Sequence, residues 1–98
     1  MPIKGIKPEE ETIIKSILEP YKDKYGFYFY GSRVKGNFRP LSDLDILIKG
    51  SEEAKWKDVA DLKEQFDQSR LPYIVNFADY YSIDEKFYNL IKDDLVEI

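Results

Sequence analysis

Residues 27–48 read FYFYGSRVKGNFRPLSDLDILI, and the order of residue types in this stretch decides the fold. The aromatic residues at its start and the aliphatic residues at its end are strand formers. Between them lie glycine, serine, basic residues and proline, which indicate a tight turn or one helical turn followed by a loop. We therefore predict two strands, at residues 27–30 and 44–48, joined by a loop that starts at Gly31.

Patterns on either side of this stretch predict helices and a third strand. Pro8 and the three glutamates after it indicate the start of a first helix. Ser51 is predicted to cap a second helix that ends near Arg70. Residues 73–77 form a third predicted strand, and a capping-box pattern at residues 82–85 predicts a last helix. Periodicity predicts that these helices bury Ile13, Ile14, Ile17, Leu18, Tyr21, Trp56, Val59, Leu62, Phe66, Ile83, Phe87, Leu90 and Ile91.

The composition restricts the chemistry and the partners. A chain of 98 residues is expected to form a single domain over residues 1–98. Its 15 basic and 19 acidic residues give a net charge of −4, which argues against direct binding of nucleic acid. The lack of cysteine and histidine excludes disulfides, zinc sites built on these ligands, and Cys or His nucleophiles. No run resembles a signal peptide or a membrane span, so we expect a soluble cytoplasmic protein without a membrane partner.

Two features of the central stretch point to phosphate chemistry. Gly31 and Ser32 form a turn that can direct backbone N–H groups and a hydroxyl at phosphate oxygens. After ten intervening residues, Asp43 and Asp45 lie two apart at the start of a strand, so their carboxylates can share a face and hold a divalent cation. Mg²⁺ uses such ligands together with substrate phosphates and water, which predicts phosphoryl or nucleotidyl transfer from a nucleotide triphosphate. The basic side chains between the two features are candidates for further phosphate contacts: Arg33, Lys35 and Arg39.

The Gly-Ser-Arg-Val-Lys-Gly motif at residues 31–36 and the Ser-Asp-Leu-Asp motif at residues 42–45 resemble those of the minimal nucleotidyltransferases, the MNT family of the polymerase-β superfamily. The resemblance covers nearly the whole chain. It implies a polymerase-β-like nucleotidyltransferase fold of the α/β (α+β) class, with a small mixed β-sheet flanked by helices. It also implies that Asp43 and Asp45 hold Mg²⁺, while Gly31 and Ser32 hold the phosphates of ATP.

The resemblance also implies a function and a partner. Family members transfer a nucleoside monophosphate, here expected to be AMP from ATP. Many neutralise a HEPN-domain ribonuclease toxin in this way and so act as its antitoxin. Larger relatives add a second domain that closes over the acceptor. We therefore expect a HEPN-domain protein, or a second copy of the chain, to cover that side in a hetero- or homo-oligomer.

One position departs from the family pattern. Residues 75–79 match the strand on which related enzymes carry a third carboxylate, a metal ligand and base, and here that position is Asn76. An amide oxygen can bind a metal, but the amide does not accept a proton. Asp79 is a candidate substitute, although a residue three positions along a regular strand faces the opposite side.

Three explanations of Asn76 remain open: an engineered Asp→Asn change that traps substrate, a natural loss of catalysis with retained binding, and an active enzyme with two carboxylates. The alternatives to transfer onto a toxin are accordingly two. One is an impaired, binding-only antitoxin. The other is a subunit that modifies a small molecule, as aminoglycoside nucleotidyltransferases do.

Overall fold

The computed structural model describes residues 3–98, in which helices alternate with the strands of one sheet. Helices α1 to α4 span Pro8–Leu18, Ser32–Lys35, Trp56–Asp67 and Glu85–Ile91, and strands β1 to β4 span Tyr25–Tyr30, Leu44–Gly50, Val75–Asp79 and Val96–Glu97. Short 3₁₀ turns follow α1 and α4, at Glu19–Tyr21 and Lys92–Asp94. In this described part of the chain, no helix has the length and apolar character needed to cross a bilayer.

The four strands form one mixed sheet in the order β3-β2-β1-β4. Strand β1 is antiparallel to both β2 and β4, whereas β2 and β3 are parallel and are connected through α3. The expected α/β (α+β) architecture, a small mixed sheet flanked by helices, is therefore confirmed. The pairing register places Asp45 of β2 opposite Tyr30 of β1 and beside Asn76 of β3.

Each face of the sheet is covered by different helices. The larger apolar core lies on one face, where Ile46 of β2 packs with Ile14 of α1 and Leu62 of α3. On the other face a smaller cluster joins Leu47 of β2 to Ile91 of α4. Because side chains alternate along a strand, residues two apart share a face. Asp45 therefore lies on the α4 side of the sheet, with Leu47.

The start of α3 differs from the sequence prediction. The helix begins at Trp56, and Ser51 is not its cap. The backbone before the helix is instead held by a distant part of the fold, since Ala54 N donates to Asp79 Oδ2 at 2.6 Å. Trp56 was expected in the buried face but is 75% exposed, because that face starts one turn later, at Val59.

Other element ends also need correction. Helix α4 is capped by Asp84, whose Oδ1 accepts from Phe87 N at 2.7 Å, and not by the predicted Ser82. Leu90 and Phe87 of this helix are 69% and 37% exposed, although both were expected to be buried. Strand β1 begins two residues before its predicted start, β3 is displaced by two residues toward the carboxyl end, and α3 ends about a turn before its predicted end. Strand β4 was missed because two residues carry no recognisable period, and its existence depends on pairing with β1.

Candidate active site

The candidate active site lies where β1 ends and β2 begins, because antiparallel strands bring these ends together. Gly31 follows β1 directly with φ of +87°, a backbone conformation that favours glycine. A Cβ at this position would overlap Oδ2 of Asp45, so only glycine allows the turn to lie against the carboxylate. Ser32 then begins the single helical turn α2. The structure thus brings the Gly-Ser turn into contact with Asp45.

Asn76 bridges toward both carboxylates. The parallel register of β2 and β3 places it beside Asp45, and its Nδ2 donates to Asp43 Oδ2 at 2.8 Å. Burial raises the pKa of Asp45 above its ordinary value; a hydrogen bond from Asn76 opposes this rise, and the charge of Asp43 adds to it. The site therefore gathers two acidic groups around one amide, and Asp45 ionises less readily there than in water. A cation bound between the two carboxylates would favour the ionised form of Asp45 and reduce the repulsion between Asp45 and Asp43.

The donor set fits Mg²⁺ in its chemistry. Two carboxylates supply hard oxygen ligands, and Mg²⁺ completes its coordination with phosphate and water. Within residues 3–98, no group of three or more acidic, histidine or cysteine side chains is arranged to hold a metal ion, and the metal-binding role of Asp43 and Asp45 stays a prediction. The amide of Asn76 directs its nitrogen at Asp43. To offer its oxygen to a metal, the amide group must turn over.

Asp79 does not replace the third carboxylate. Its Oδ2 accepts from Ala54 N at 2.6 Å, and its Oδ1 accepts from Tyr81 N at 2.8 Å. It stands three residues after Asn76 on β3 and faces the opposite side of the sheet, as the strand period indicates. Asp79 therefore anchors the chain segment that precedes α3.

Arg33 was predicted to contact phosphate, and the structure corrects this expectation. Its side chain is 3% exposed. The guanidinium donates to three main-chain carbonyls, with Nη1 to Gly5 O at 2.7 Å, Nη2 to Pro40 O at 3.0 Å, and Nε and Nη2 to Ser42 O at 3.1 and 2.9 Å. It also lies 3.8 Å from the ring centre of Tyr73. Burial of an arginine in such a polar loop is unusual, and no residue pattern indicated it.

The other two loop cations are exposed. Lys35 Nζ lies 3.6 Å from Asp94 Oδ2, near the end of the chain. Arg39 donates its backbone N–H to Ser42 Oγ at 2.8 Å. Because both side chains reach solvent, their phosphate role is compatible with their packing and stays a prediction.

Tyr30 is a neighbour of the site that the sequence reasoning missed. It pairs with Asp45 across the antiparallel strands, and its ring meets Phe87 of α4 edge to face with centroids 6.1 Å apart. Burial, reinforced by the charge of Asp45, raises the pKa of Tyr30 to about 12, so its hydroxyl stays neutral. An antiparallel pairing of the first two strands, had it been assumed, would have placed Tyr30 beside the acidic pair.

Comparison with known proteins identifies the family of the chain. A family model described as polymerase beta, nucleotidyltransferase, matches residues 12–96. The chain belongs to this nucleotidyltransferase family. It is 38% identical over 93 residues to a probable protein adenylyltransferase MntA of Haemophilus influenzae, and the match covers 95% of this chain and 82% of that protein. The resemblance to the minimal nucleotidyltransferases is thereby confirmed.

A solved structure supports the fold of this nucleotidyltransferase. A crystal structure of a toxin-antitoxin with AMP-PNP contains a chain with a TM-score of 0.72 and 20% identity, over 89% of this chain and 70% of that one. At this identity the likeness concerns the fold, and it confirms the expected polymerase-β-like architecture. The span matched by the family, residues 12–96, includes all of the predicted site residues from Gly31 to Asn76.

Proposed function

We propose that this nucleotidyltransferase transfers AMP from Mg²⁺-bound ATP to a protein toxin and so acts as an antitoxin. The observation that carries the proposal is the contact of the Gly31 turn with the Asp45 carboxylate at the end of the sheet where Asn76 also hydrogen-bonds Asp43. Two comparisons support the choice of substrate. The 38% identical relative is named a probable protein adenylyltransferase, and the protein of similar fold is a toxin-antitoxin with AMP-PNP. The MNT resemblance favours a HEPN-domain ribonuclease as the toxin.

In the proposed reaction, a hydroxyl group of the partner attacks the α-phosphorus of ATP. A bond forms between the hydroxyl oxygen and this phosphorus, the bond to the bridging oxygen of the β-phosphate breaks, and pyrophosphate leaves. Backbone N–H groups at Gly31 and the hydroxyl of Ser32 would hold phosphate oxygens. Asp43 and Asp45 would hold Mg²⁺, which when bound supplies neutralisation of charge on the phosphates.

Asn76 limits what the chain itself contributes to proton transfer. A neutral amide has no basic site at neutral pH, so the proton of the attacking hydroxyl must pass to another group or to solvent. Positioning and electrostatic stabilisation supply most of the catalysis in phosphoryl transfer. An enzyme with two carboxylates is therefore compatible with this chemistry, and its rate should be lower than that of a variant carrying a third.

The test uses ATP with a radioactive label at either the α- or the γ-phosphate. Each is incubated with the purified chain, MgCl₂ and a HEPN-domain ribonuclease from the same organism, as the candidate partner. We expect the α-label, and not the γ-label, to appear on the partner. The matched control is Asp45→Asn, which keeps the side-chain shape and removes the charge. Absence of partner labelling together with absence of Mg²⁺-dependent ATP binding in calorimetry would overturn the proposal.

The hydrogen bond from Asn76 to Asp43 favours a second candidate function, a binding-only antitoxin. Such a protein would inhibit the partner ribonuclease in a stoichiometric complex without ATP, and neither label would reach the partner. Asn76→Asp would then confer transfer that the wild type lacks. Labelling of an added aminoglycoside, with none on protein, would instead identify a small-molecule enzyme.

A further inference from the structure

We infer that Arg33 is a positioning residue, which fixes the Gly31–Ser32 turn relative to Asp43. The inference rests on the proposed function, because it assigns the turn to phosphate and Asp43 to the metal. These two halves of the site are separated by the loop over residues 33–42, which contains glycine, asparagine and proline. The pairing of β1 with β2 holds Gly31 against Asp45, but Asp43 lies before the start of β2, where this loop gives it more freedom relative to the turn.

The guanidinium of Arg33 forms that crosslink. Arg33 follows Ser32 directly within the helical turn α2, so its backbone moves with the phosphate half. Its Nε and Nη2 both donate to the carbonyl of Ser42, at 3.1 and 2.9 Å, and Nη2 also donates to Pro40 O at 3.0 Å. Ser42 directly precedes Asp43. The guanidinium therefore links Arg33, which follows Ser32 of the phosphate half, to Ser42, which precedes Asp43 of the metal half.

The surroundings of the guanidinium leave it little freedom. It lies 3.8 Å from the ring centre of Tyr73 and 5.2 Å from that of Phe38, and Nη1 donates to Gly5 O at 2.7 Å. A Cβ added to Gly5 would stand 2.5 Å from Cβ of Arg33, so the amino-terminal segment also packs directly against the arginine backbone. Because aromatic rings contact the guanidinium and the Gly5 segment packs on the backbone, the Arg33 side chain is held in one orientation.

A purely stabilising role explains these contacts less well. All four hydrogen bonds of the guanidinium go to main-chain carbonyls, and a buried charge carries a desolvation penalty that an apolar side chain would avoid. The benefit specific to arginine is its rigid fork of donors. Lysine keeps the charge, but a single ammonium does not reproduce the planar, multi-point link between α2 and the loop.

The test measures how much Mg²⁺ strengthens nucleotide binding. Calorimetry gives the Kd of α,β-methylene-ATP, which does not undergo transfer, with MgCl₂ and with EDTA. The ratio of the two Kd values reports the cooperation between the metal half and the phosphate half. For Arg33→Lys we expect nearly unchanged binding in EDTA and a fall of about tenfold in the Mg²⁺ enhancement, equivalent to about 1.4 kcal/mol of coupling.

Two further variants keep the test decisive if Arg33→Lys folds poorly. Phe38→Ala removes a loop side chain that covers the guanidinium, and we expect a partial loss of the enhancement. Tyr25→Phe is the matched control for stability, since it removes the 2.6 Å hydrogen bond from Tyr25 to Asp58 at the far end of β1. It should lower the Tm and leave the enhancement unchanged, when all proteins are measured well below their Tm.

The outcomes separate the inference from the proposed function. Full Mg²⁺ enhancement in both Arg33→Lys and Phe38→Ala would overturn the positioning role while the proposed function stands. An equal loss in Tyr25→Phe would also overturn it, because general destabilisation would then explain the effect. Absence of Mg²⁺ enhancement in the wild type would refute the proposed function itself, and the inference with it.

Discussion

Replacing Asn76 with aspartate tests whether its amide takes the place of a cation between two carboxylates. In the wild type, Nδ2 of Asn76 donates to Asp43 Oδ2 at 2.8 Å. Burial raises the pKa of Asp45, and a hydrogen bond from the same amide offsets part of this rise. Aspartate removes the donors and adds a third negative charge. We therefore expect Asn76→Asp to be less stable than the wild type in EDTA and to be stabilised more by Mg²⁺.

The size of the effect follows from two contributions. Loss of the hydrogen bond to the partly exposed Asp43 should cost about 1 kcal/mol, below the usual value for a buried charged acceptor because solvent screens it. Repulsion between two unit charges about 4 Å apart adds about 1 kcal/mol in water. Together these give about 2 kcal/mol, which lowers the Tm of a domain of this size by roughly 8–16 °C.

The stability difference between Asn76→Asp and the wild type should depend on pH. Burial and Asp43 already raise the pKa of Asp45, and a third carboxylate should raise it further. A carboxyl group with a raised folded-state pKa stabilises the fold at low pH, where it is protonated, and this contribution is lost as the pH rises through that pKa. The difference between Asn76→Asp and the wild type should thus be smallest near about pH 4, where the lost hydrogen bond remains but most of the repulsion does not, and largest at neutral pH.

The assay is thermal unfolding followed by circular dichroism, in EDTA and in excess MgCl₂, at acidic and neutral pH. Mg²⁺ at about 100 times its Kd adds about 2.7 kcal/mol to the free energy of unfolding, which is enough to restore the stability of Asn76→Asp to that of the wild type. Asn76→Ala is the control, since it removes the hydrogen bond without adding charge and should lose about 1 kcal/mol. If Asn76→Asp matches the wild type in EDTA at neutral pH, the amide does not hold the carboxylates as argued.

Four more substitutions give defined outcomes. Gly31→Ala should cost about 1–3 kcal/mol and abolish Mg²⁺-dependent nucleotide binding in calorimetry, because of its φ of +87° and the overlap with Asp45. Gly36→Ala, with φ of +89° and open space around the added Cβ, should cost about 1–2 kcal/mol in urea unfolding and leave binding intact; loss of binding there would contradict the geometric explanation. Asp45→Asn should be more stable than the wild type above about pH 4 in urea unfolding, since it removes a carboxyl whose pKa is raised, and a less stable variant at neutral pH would refute the burial argument. Asp84→Ala should lose about 1 kcal/mol in the same assay, because Phe87 N loses its cap, and unchanged stability would show that water replaces it.

The parts of the site that follow from local rules could be predicted from the sequence. A Gly-Ser turn after a strand and an Asp-x-Asp pair at the next strand start need only spacing and period. The same period showed that Asp79 faces away from Asn76. The meeting of Gly31 with Asp45 then follows once the strands are antiparallel, although the sequence did not state that direction.

The features that sequence reasoning missed depend on residues far apart in the chain. Ser51 has the side chain of a helix cap, but the hydrogen bond from Ala54 to Asp79 fixes the backbone so that α3 starts later. Arg33 reads as an exposed loop cation until the amino-terminal segment and the loop carbonyls enclose it. Propensity and spacing do not encode such contacts, which form only when the fold is complete.

Apolar burial on one face of the sheet fixes the polar arrangement on the other. A shift of β3 by one residue against β2 would place Val75 or Phe77 beside Asp45 and turn Asn76 to the opposite face. It would also remove Val75, which is 2% exposed, and Phe77, whose ring lies 5.7 Å from that of Phe66, from the core. Exposing two such side chains costs about 3–6 kcal/mol, which is comparable with the stability of a small domain. The packing against α3 therefore selects the one register in which Asn76 reaches the acidic pair.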